Sequence, residues 1–299
     1  MRRRSGAHPG QPPGRWCSPL HHRFGSARPC AGPPPKPRFD QVRGGIPRRE
    51  PMTTLTAGTA PATAAAAAVA LEAVTKDYGD VRALDGVTWT FPRGAVTAVM
   101  GPSGSGKSTF LHCASGLDRP SEGTVRVGGV DLGRLGEAKL TRLRRERIGF
   151  VFQAFNLVPS MDVERNITLP LHLGGTAPDP AWLDEVVRRV GLADRLRHRP
   201  AELSGGQQQR AALARALITR PEVVFADEPT GALDPRTARD VLRLLREAAD
   251  LTGQTVVLVT HDPVAAAWAD SVVFLSRGRV VDELVAPTVS AVMSRWETL

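Results

Sequence analysis

The chain has few cysteines and few tyrosines, three and one respectively among 299 residues. Cys17 and Cys30 lie near the N-terminus and Cys113 stands far from both, so no disulfide framework or metal-binding cysteine spacing emerges. This usage fits a reducing, cytosolic environment. The sequence also lacks an apolar run of the roughly 18–20 residues needed to cross a bilayer. We therefore expect a protein that is soluble, or peripheral to a membrane through a partner.

Acidic residues are scarce in the first part of the chain. Residues 1–51 contain 11 of the 39 Lys and Arg residues but only 2 of the 30 Asp and Glu residues. The rest of the chain therefore carries 28 basic and 28 acidic residues and has no formal net charge. The overall charge of +9 thus says nothing about the folded part, and no nucleic-acid partner is expected. The segment is rich in Pro, Gly and Arg, and it lacks both apolar periodicity and the apolar core of a secretory signal.

We expect residues 1–69 to form a disordered tail that ends in an Ala-rich linker, with ordered structure beginning near Leu71. A basic tail that touches RNA or lipid headgroups is the alternative. Translation that begins at Met52 would remove most of this segment, and we take Met52 as the true start.

A glycine-rich motif follows the apolar, strand-like residues 95–100 and precedes a helix-forming segment. The pattern GxxxxGK[ST] in this strand–loop–helix context predicts a phosphate-binding loop, although a Gly-rich turn can match by chance. Its glycines let backbone N–H groups face a phosphate, and the helix N-terminus adds a favourable dipole. Lys107 is expected to reach the β- and γ-phosphates and Ser108 to bind Mg²⁺. The predicted nucleotide-binding residues here are Gly101, Pro102, Ser103, Gly104, Ser105, Gly106, Lys107, Ser108 and Thr109.

Two adjacent acids end a second apolar strand, at residues 223–226. An acid in this position is expected after a phosphate-binding loop, where it holds Mg²⁺. We assign that role to Asp227, and we assign Glu228 as a general base that polarises the attacking water. The alternative for such a pair is a helix cap or a solvated loop.

The pentapeptide Leu203–Gln207, LSGGQ, begins a helical run. Ser204 stands at an N-cap position, and Gly205 and Gly206 expose backbone N–H groups at the helix start. With Gln207 they form a second phosphate-binding surface. One chain rarely needs two such surfaces for one nucleotide. We therefore expect Ser204–Gln207 to meet the nucleotide held by another subunit.

Strand-like and helical segments alternate from Ser204 onward, which predicts a parallel sheet with helices on both faces. Arg277 and Gly278 predict a hairpin turn. Residues 286–299 are expected to be a short, solvated C-terminal segment, with a short amphipathic helix as the alternative.

Together these motifs resemble the ATPases of ATP-binding cassette (ABC) transporters, and the likeness extends from residue 71 to about residue 285. The resemblance implies an α/β fold within residues 70–285: a P-loop NTPase core whose parallel sheet is flanked by helices, an antiparallel β-subdomain, and a small α-helical subdomain at about 153–203. The stretches GLDRPSEGTVRVGG, FQAFNLVPSMDVERNITLPL and DEPTGALD resemble the lipoprotein-releasing and macrolide-export types. The cell-division ATPase of the same branch is also similar.

The resemblance also implies roles for single residues. Tyr78 corresponds to the aromatic residue that stacks on adenine, and His261 to the switch histidine that contacts the γ-phosphate. Gln153 corresponds to the glutamine that links the metal to the membrane partner, and residues 232–234 to the loop that crosses to the other subunit. The predicted catalytic residues are thus Glu228, His261 and Lys107. The predicted metal-binding residues are Ser108, Gln153 and Asp227.

The implied function is that of an ATP-hydrolysing subunit that uses ATP and Mg²⁺ and dimerises, as a homodimer, when ATP binds. It would power a separate transmembrane permease from the cytoplasmic face of the membrane, docking through Gln153 and residues 155–169, for export or extraction of a lipoprotein, peptide or drug. The alternative is a regulatory ATPase coupled to a membrane protein without transport, as in cell division. A soluble ABC protein acting on ribosomes or DNA would usually carry tandem cassettes, a coiled coil or a zinc insertion, which this sequence lacks.

Overall fold

The computed structural model of the protein describes residues 67–299, and the predicted tail up to residue 66, with Met52, lies outside them. The strands of the described part are β1 (Ala67–Tyr78), β2 (Val81–Pro92), β3 (Val96–Met100), β4 (Glu122–Val127), β5 (Val130–Asp131), β6 (Ile148–Phe152), β7 (Val223–Asp227), β8 (Thr255–Val259), β9 (Ser271–Ser276) and β10 (Arg279–Val285). Its α-helices are α1 (Lys107–Ala114), α2 (Glu137–Arg147), α3 (Val163–Leu173), α4 (Pro180–Val190), α5 (Gly205–Leu217), α6 (Pro235–Thr252), α7 (Pro263–Ala266) and α8 (Val289–Trp296).

The larger sheet has six strands in the order β10-β9-β3-β8-β7-β6. Its five strands from β9 to β6 run parallel, and β10 pairs antiparallel with β9 at one edge. Arg277 and Gly278 join these two strands with φ angles of +48° and +74°, the left-handed pair that a tight hairpin favours. The predicted parallel sheet and its terminal hairpin are both confirmed.

Side chains of the parallel sheet alternate between two cores. Val223 and Phe225 of β7 belong to one core, with α1 and the antiparallel sheet, whereas Val224 and Ala226 belong to the other, with α5 and α6. Because both faces are covered, β3 and β8 are buried along their whole length, as is usual in parallel sheets.

The smaller sheet is antiparallel, with four strands in the order β2-β1-β4-β5. It packs on α1, where Phe91 of β2 meets Phe110 edge to face with ring centroids 5.9 Å apart. This contact holds α1, the helix that follows the glycine-rich loop, in its place between the two sheets.

Residues 153–203, predicted to be helical, contain α3, α4 and the 3₁₀ turn Pro200–Glu202. Asp162 and Asp179 cap the two helices by accepting hydrogen bonds from backbone N–H groups of the first turn. Trp182 of α4 donates its indole N–H to the carbonyl of Ile218 at 3.0 Å, which joins this region to the end of α5. Within residues 67–299, no helix combines the length and apolar character needed to span a bilayer.

Two predictions about the ends of the folded part were wrong. Strand β1 begins at Ala67, so part of the expected linker is buried strand paired with β2 and β4. Tertiary pairing here overrides the low strand propensity of alanine. Residues 286–299 are not simply a solvated end, because α8 forms there and packs on α7 with Val292 fully buried.

Candidate functional site

The predicted site residues follow four neighbouring strands of the parallel sheet. The glycine-rich loop follows β3, Gln153 follows β6, Asp227 ends β7, and His261 comes shortly after β8. Asp227 pairs in register with Phe152 on one side and Val259 on the other. The carboxyl ends of these strands therefore meet at one edge, where open α/β sheets bind ligands.

The glycine-rich loop has a backbone that side chains would obstruct. Gly106 has φ +99°, and a Cβ there would lie 2.4 Å from the carbonyl oxygen of Ala83. A Cβ on Gly101 would lie 2.1 Å from the carbonyl oxygen of Leu275. Gly106 is the N-cap of α1 and supplies no side-chain cap. The first N–H groups of α1 are therefore free for an external acceptor such as a phosphate oxygen.

Lys107 spans this loop. Its Nζ donates to the carbonyls of Gly101 at 2.7 Å and Pro102 at 3.0 Å. Burial lowers the pKa of Lys107, and the charges of Glu228 and Asp227 oppose that shift. The ammonium thus lies in the loop and close to the acids at the end of β7, where it can exchange its carbonyl partners for an anion.

Glu228 and His261 form a direct pair, although 33 residues separate them. The Glu228 carboxylate lies 2.8 Å from Nδ1 of His261, with 19% of the Glu228 side chain and 65% of the His261 side chain exposed. Glu228 has φ +47°, and its N–H donates to the carbonyl of Val259 at 2.9 Å. The backbone therefore turns directly after β7 and aims the carboxylate at the strand edge.

Asp227 ends β7 and is half-buried, as Glu228 is. Burial and then the charge of Glu228 raise the pKa of Asp227, and interactions with His112 and Lys107 partly offset this rise. A buried carboxylate whose charge is disfavoured gains from a cation beside it.

The donor set is compatible with a magnesium ion. Ser108 offers a hydroxyl, Gln153 an amide oxygen and Asp227 a carboxylate, and Mg²⁺ prefers such oxygen donors together with phosphate and water. Within residues 67–299, no group of three or more His, Cys, Asp or Glu side chains forms a dedicated metal cage. Ser108, Gln153 and Asp227 thus offer oxygen ligands for an ion that would take its other ligands from phosphate and water.

Ser204 begins α5 as predicted. Its hydroxyl accepts from the Gln207 N–H at 3.3 Å, while the Gln207 side chain accepts from the Ser204 N–H at 2.9 Å, a reciprocal capping box. Gly206 lies against α6, since a Cβ there would come within 2.2 Å of the Thr237 methyl. Ser204 and Gly205 are exposed.

The structure does not bring this helix start to the glycine-rich loop of the same chain. Helix α5 packs on α3, α4, α6 and β6, whereas α1 packs on the antiparallel sheet, β7 and β8. Among the described residues, no hydrogen bond joins 204–207 to 101–109.

Tyr78 lies at the end of β1 and is 48% exposed. Its hydroxyl donates to Asp118 at 2.6 Å, which raises the pKa of Tyr78, and burial adds to that rise, while the Thr109 hydroxyl opposes it. Because β1 packs on α1, Tyr78 lies on the strand beside the helix that begins at Lys107.

Comparison with known proteins assigns the family. The family model "ABC transporter" matches residues 84–231. The chain is 38% identical to the ATP-binding cassette MJ0796, solved as a dimer in a post-hydrolysis state bound to ADP and Pi, with 74% of this chain and 99% of that one covered and a TM-score of 0.67. The chain belongs to the ABC transporter family.

Other relatives of this ABC cassette extend the comparison. It is 46% identical over 217 residues to the macrolide export ATP-binding/permease protein MacB of Burkholderia lata, covering 71% of this chain and 31% of that protein. It is 42% identical to MacB of Marinobacter nauticus, and the match covers 75% of this chain and 35% of that protein. The cbiO1 structure from Clostridium perfringens is 28% identical with a TM-score of 0.68, and the match covers 78% of this chain and 92% of that one. The chain thus spans about a third of the length of the curated relatives it matches.

The predicted family, fold and ATP-binding ATPase class of the cassette are confirmed by these comparisons. The roles of its single residues stay predictions, with the geometry described above as their support.

Two residues of α5 in the ABC cassette contact the site's loops but were not predicted from the sequence. Gln209 is fully buried and donates to the carbonyls of Pro229 at 2.6 Å and Phe152 at 3.3 Å. It thus ties the helix that begins at Ser204 to the backbone beside both Gln153 and Glu228. Its sequence signal is weak, because Gln209 is the last of three consecutive glutamines ahead of an Ala- and Leu-rich helical run.

The second missed residue is Arg215, which holds the loop after Gln153. Phe155 and Asn156 have φ angles of +59° and +50°, and Arg215 donates to both of their carbonyls, at 2.9 Å for Phe155. Burial lowers the pKa of Arg215. Two consecutive left-handed residues are strained, so this loop depends on the arginine for its shape.

Proposed function

We propose that the cassette binds MgATP at the carboxyl edge of its parallel sheet, hydrolyses it as a head-to-tail homodimer, and thereby drives a membrane permease for export. The observation that carries the proposal is the arrangement of Lys107, Asp227 and the Glu228–His261 pair around one glycine-rich loop.

Each protein group has a distinct part in the reaction. The N–H groups of the glycine-rich loop and Lys107 hold the phosphates and stabilise charge that develops on them. Glu228 orients a water and accepts its proton, while His261 holds that carboxylate and contacts the γ-phosphate. Mg²⁺, when bound by Ser108, Gln153 and Asp227, neutralises phosphate charge.

The dimer is supported by the separation of two surfaces in one chain. Ser204–Gln207 presents an exposed helix start that does not contact the loop at 101–109 of its own chain. MJ0796, 38% identical, is dimeric in two solved structures. In a head-to-tail dimer, each chain would place Ser204–Gln207 against the nucleotide held by its partner.

Permease docking is supported by a groove beside the loop that follows Gln153. The groove encloses about 630 Å³. Its apolar lining includes Phe150, Leu169 and Leu173, and Arg144 and Arg145 stand at the same groove. This combination suits an amphipathic helix that presents apolar side chains and carboxylates, and we propose that the permease supplies it at the cytoplasmic face of the membrane.

Asn156 lines the same groove, and Arg215 links that residue to α5. Movement of a docked helix would therefore be transmitted to Ser204 at the start of α5, and ATP-driven closure of the dimer would be transmitted back to the permease. Export is the direction proposed because the cassette is 46% identical to that of a macrolide export protein.

The test is affinity purification of the tagged chain from membranes of its own host, with integral membrane proteins identified by mass spectrometry. Leu173→Asp places a charge in the groove at a side chain that is 69% exposed, so folding should survive. Leu251→Asp is the matched control, since Leu251 is 68% exposed but lies on α6 outside the groove.

We expect the wild type and Leu251→Asp to retain one permease and Leu173→Asp to lose it, while thermal melting shows all three folded. Absence of any integral membrane protein from the wild-type sample, or full retention by Leu173→Asp, would contradict the docking proposal.

A further inference from the structure

The ring of Tyr78 is held at its far end. A side chain that is 48% exposed at the end of a strand ordinarily samples several staggered rotamers. Here the Tyr78 hydroxyl donates to Oδ2 of Asp118 at 2.6 Å, the short distance of a charge-assisted hydrogen bond. This bond favours one rotamer, and about half of the side-chain surface stays exposed.

Asp118 is itself fixed from two sides. Its Oδ1 accepts from Nζ of Lys76 at 2.8 Å and from the N–H of Arg119 at 2.8 Å. Partial burial alone would raise the pKa of Asp118, but the hydrogen bonds from Lys76 and Tyr78 outweigh it, and the pKa lies below its ordinary value. The carboxylate therefore stays charged as an acceptor.

Lys76 completes the group. Its Nζ also donates to the carbonyl of Arg119 at 2.8 Å and lies 4.9 Å from the centroid of the Tyr78 ring, within cation–π range. The hydrogen bond to Asp118 raises the pKa of Lys76 despite some desolvation. Tyr78, Asp118 and Lys76 thus form a closed triad at the tip of β1.

The triad is attached to the helix that follows the glycine-rich loop. Asp118 lies a few residues after the end of α1, and the N–H of Asp118 donates to the carbonyl of His112 at 3.1 Å. Ser121 bonds to β1 through its hydroxyl, which accepts from Asp77 at 3.0 Å, and through its N–H, which donates to Thr75 at 2.8 Å. These bonds hold the end of β1, and with it Tyr78, in a fixed position relative to α1, the helix that follows the phosphate-binding loop.

We infer that Asp118, supported by Lys76, is a positioning residue that holds the Tyr78 ring in the orientation in which it stacks on the base of the bound nucleotide. The inference rests on the proposed nucleotide site and on the contact of Tyr78 with the base. Asp118 acts only through Tyr78, so its loss weakens nucleotide binding without changing the chemical step.

The size of the effect follows from the rotamers. A ring released from the triad would distribute over about three staggered wells, of which one is competent to stack. The apparent Kd equals the intrinsic Kd divided by the competent fraction, so it should rise about threefold. Removal of the whole ring should cost more, about tenfold or above, because base–aromatic stacking is then lost.

The experiment measures the Kd of MgADP, which is not hydrolysed, by isothermal titration calorimetry, and kcat for ATP at saturation. The variants are Asp118→Ala, Tyr78→Phe, their combination, and Tyr78→Ala. Asp80→Ala is the matched control, because it removes one exposed carboxylate two residues from Tyr78.

We expect Asp118→Ala and Tyr78→Phe each to raise the Kd about threefold and their combination to raise it no further, with the kcat of Asp118→Ala unchanged. Asp80→Ala should match the wild type. If Tyr78→Ala weakens binding while Asp118→Ala and Tyr78→Phe do not, the positioning inference is wrong and the base contact stands.

Two other results would also overturn it. If Tyr78→Ala leaves the Kd unchanged, the proposed contact between ring and base is wrong and the inference fails with it. If Asp118→Ala lowers kcat and the melting temperature together, or its effect multiplies with that of Tyr78→Phe, Asp118 acts on the fold and not through the ring.

Discussion

Replacement of Glu228 by Gln tests the centre of the proposed mechanism. In the wild type the Glu228 carboxylate lies 2.8 Å from Nδ1 of His261. Gln keeps the size of the side chain, and its amide oxygen can still accept a hydrogen bond from that nitrogen. The substitution also leaves the backbone bond from residue 228 to the carbonyl of Val259 at 2.9 Å. The turn with φ +47° suits Gln as well as Glu. The variant should therefore fold normally and lose only the proton-accepting group.

The expected loss follows from the role of a general base. Such a group contributes about 10²–10⁴-fold to a rate, which is about 2.7–5.4 kcal/mol of transition-state stabilisation. ATP binding should be at least as tight, because a negative charge near the phosphates is removed. A cassette that binds ATP but barely hydrolyses it should accumulate as the closed dimer.

The assay is single-turnover phosphate release, with light scattering in MgATP to measure the dimer. Glu222→Gln is the matched control, because Glu222 precedes the opposite end of β7 and pairs there with Arg93 and Arg147. Hydrolysis by Glu228→Gln within tenfold of the wild-type rate, with Glu222→Gln equally active, would refute the base assignment.

Three further predictions concern other parts of the chain. Lys107→Ala should raise the Kd of ATP about tenfold to a hundredfold through loss of charged hydrogen bonds, and unchanged affinity in calorimetry would remove the lysine from the site. Deletion of residues 1–51 should leave steady-state ATP hydrolysis intact, and a large loss would show that the basic segment has a function. Val292→Asp should lower the free energy of unfolding by about 3 kcal/mol or more, since it places a charge at a fully buried position of α8. Met293→Asp, at a neighbouring side chain that is 49% exposed, should change the melting temperature little, and equal shifts for the two variants would argue against the packing of α8.

The elements nearest the site were predictable because their signals are local. The apolar strand before Gly101, the left-handed glycines of the loop and the N-cap at Ser204 each depend on a few consecutive residues. The hairpin at Arg277–Gly278 was also predicted from a short-range pattern. The ends of the folded part were harder, because Ala67 has low strand propensity and the helix around Val292 was only the alternative, and both residues are buried by what they pack against.

By itself, the sequence determined that a phosphate-binding loop, an acid pair and a second helix start occur in one chain, and the order of these motifs identified the family. Only the tertiary structure decided which side chains meet. It pairs Glu228 with His261, attaches the loop after Gln153 to Arg215, and joins Tyr78 to Asp118. Residues separated by 33 to 60 positions become neighbours in these contacts. The first two arise because parallel strands place their carboxyl ends side by side and helices pack across them, and the third because β1 of the antiparallel sheet packs on α1. No pattern of adjacent residues encodes such neighbours.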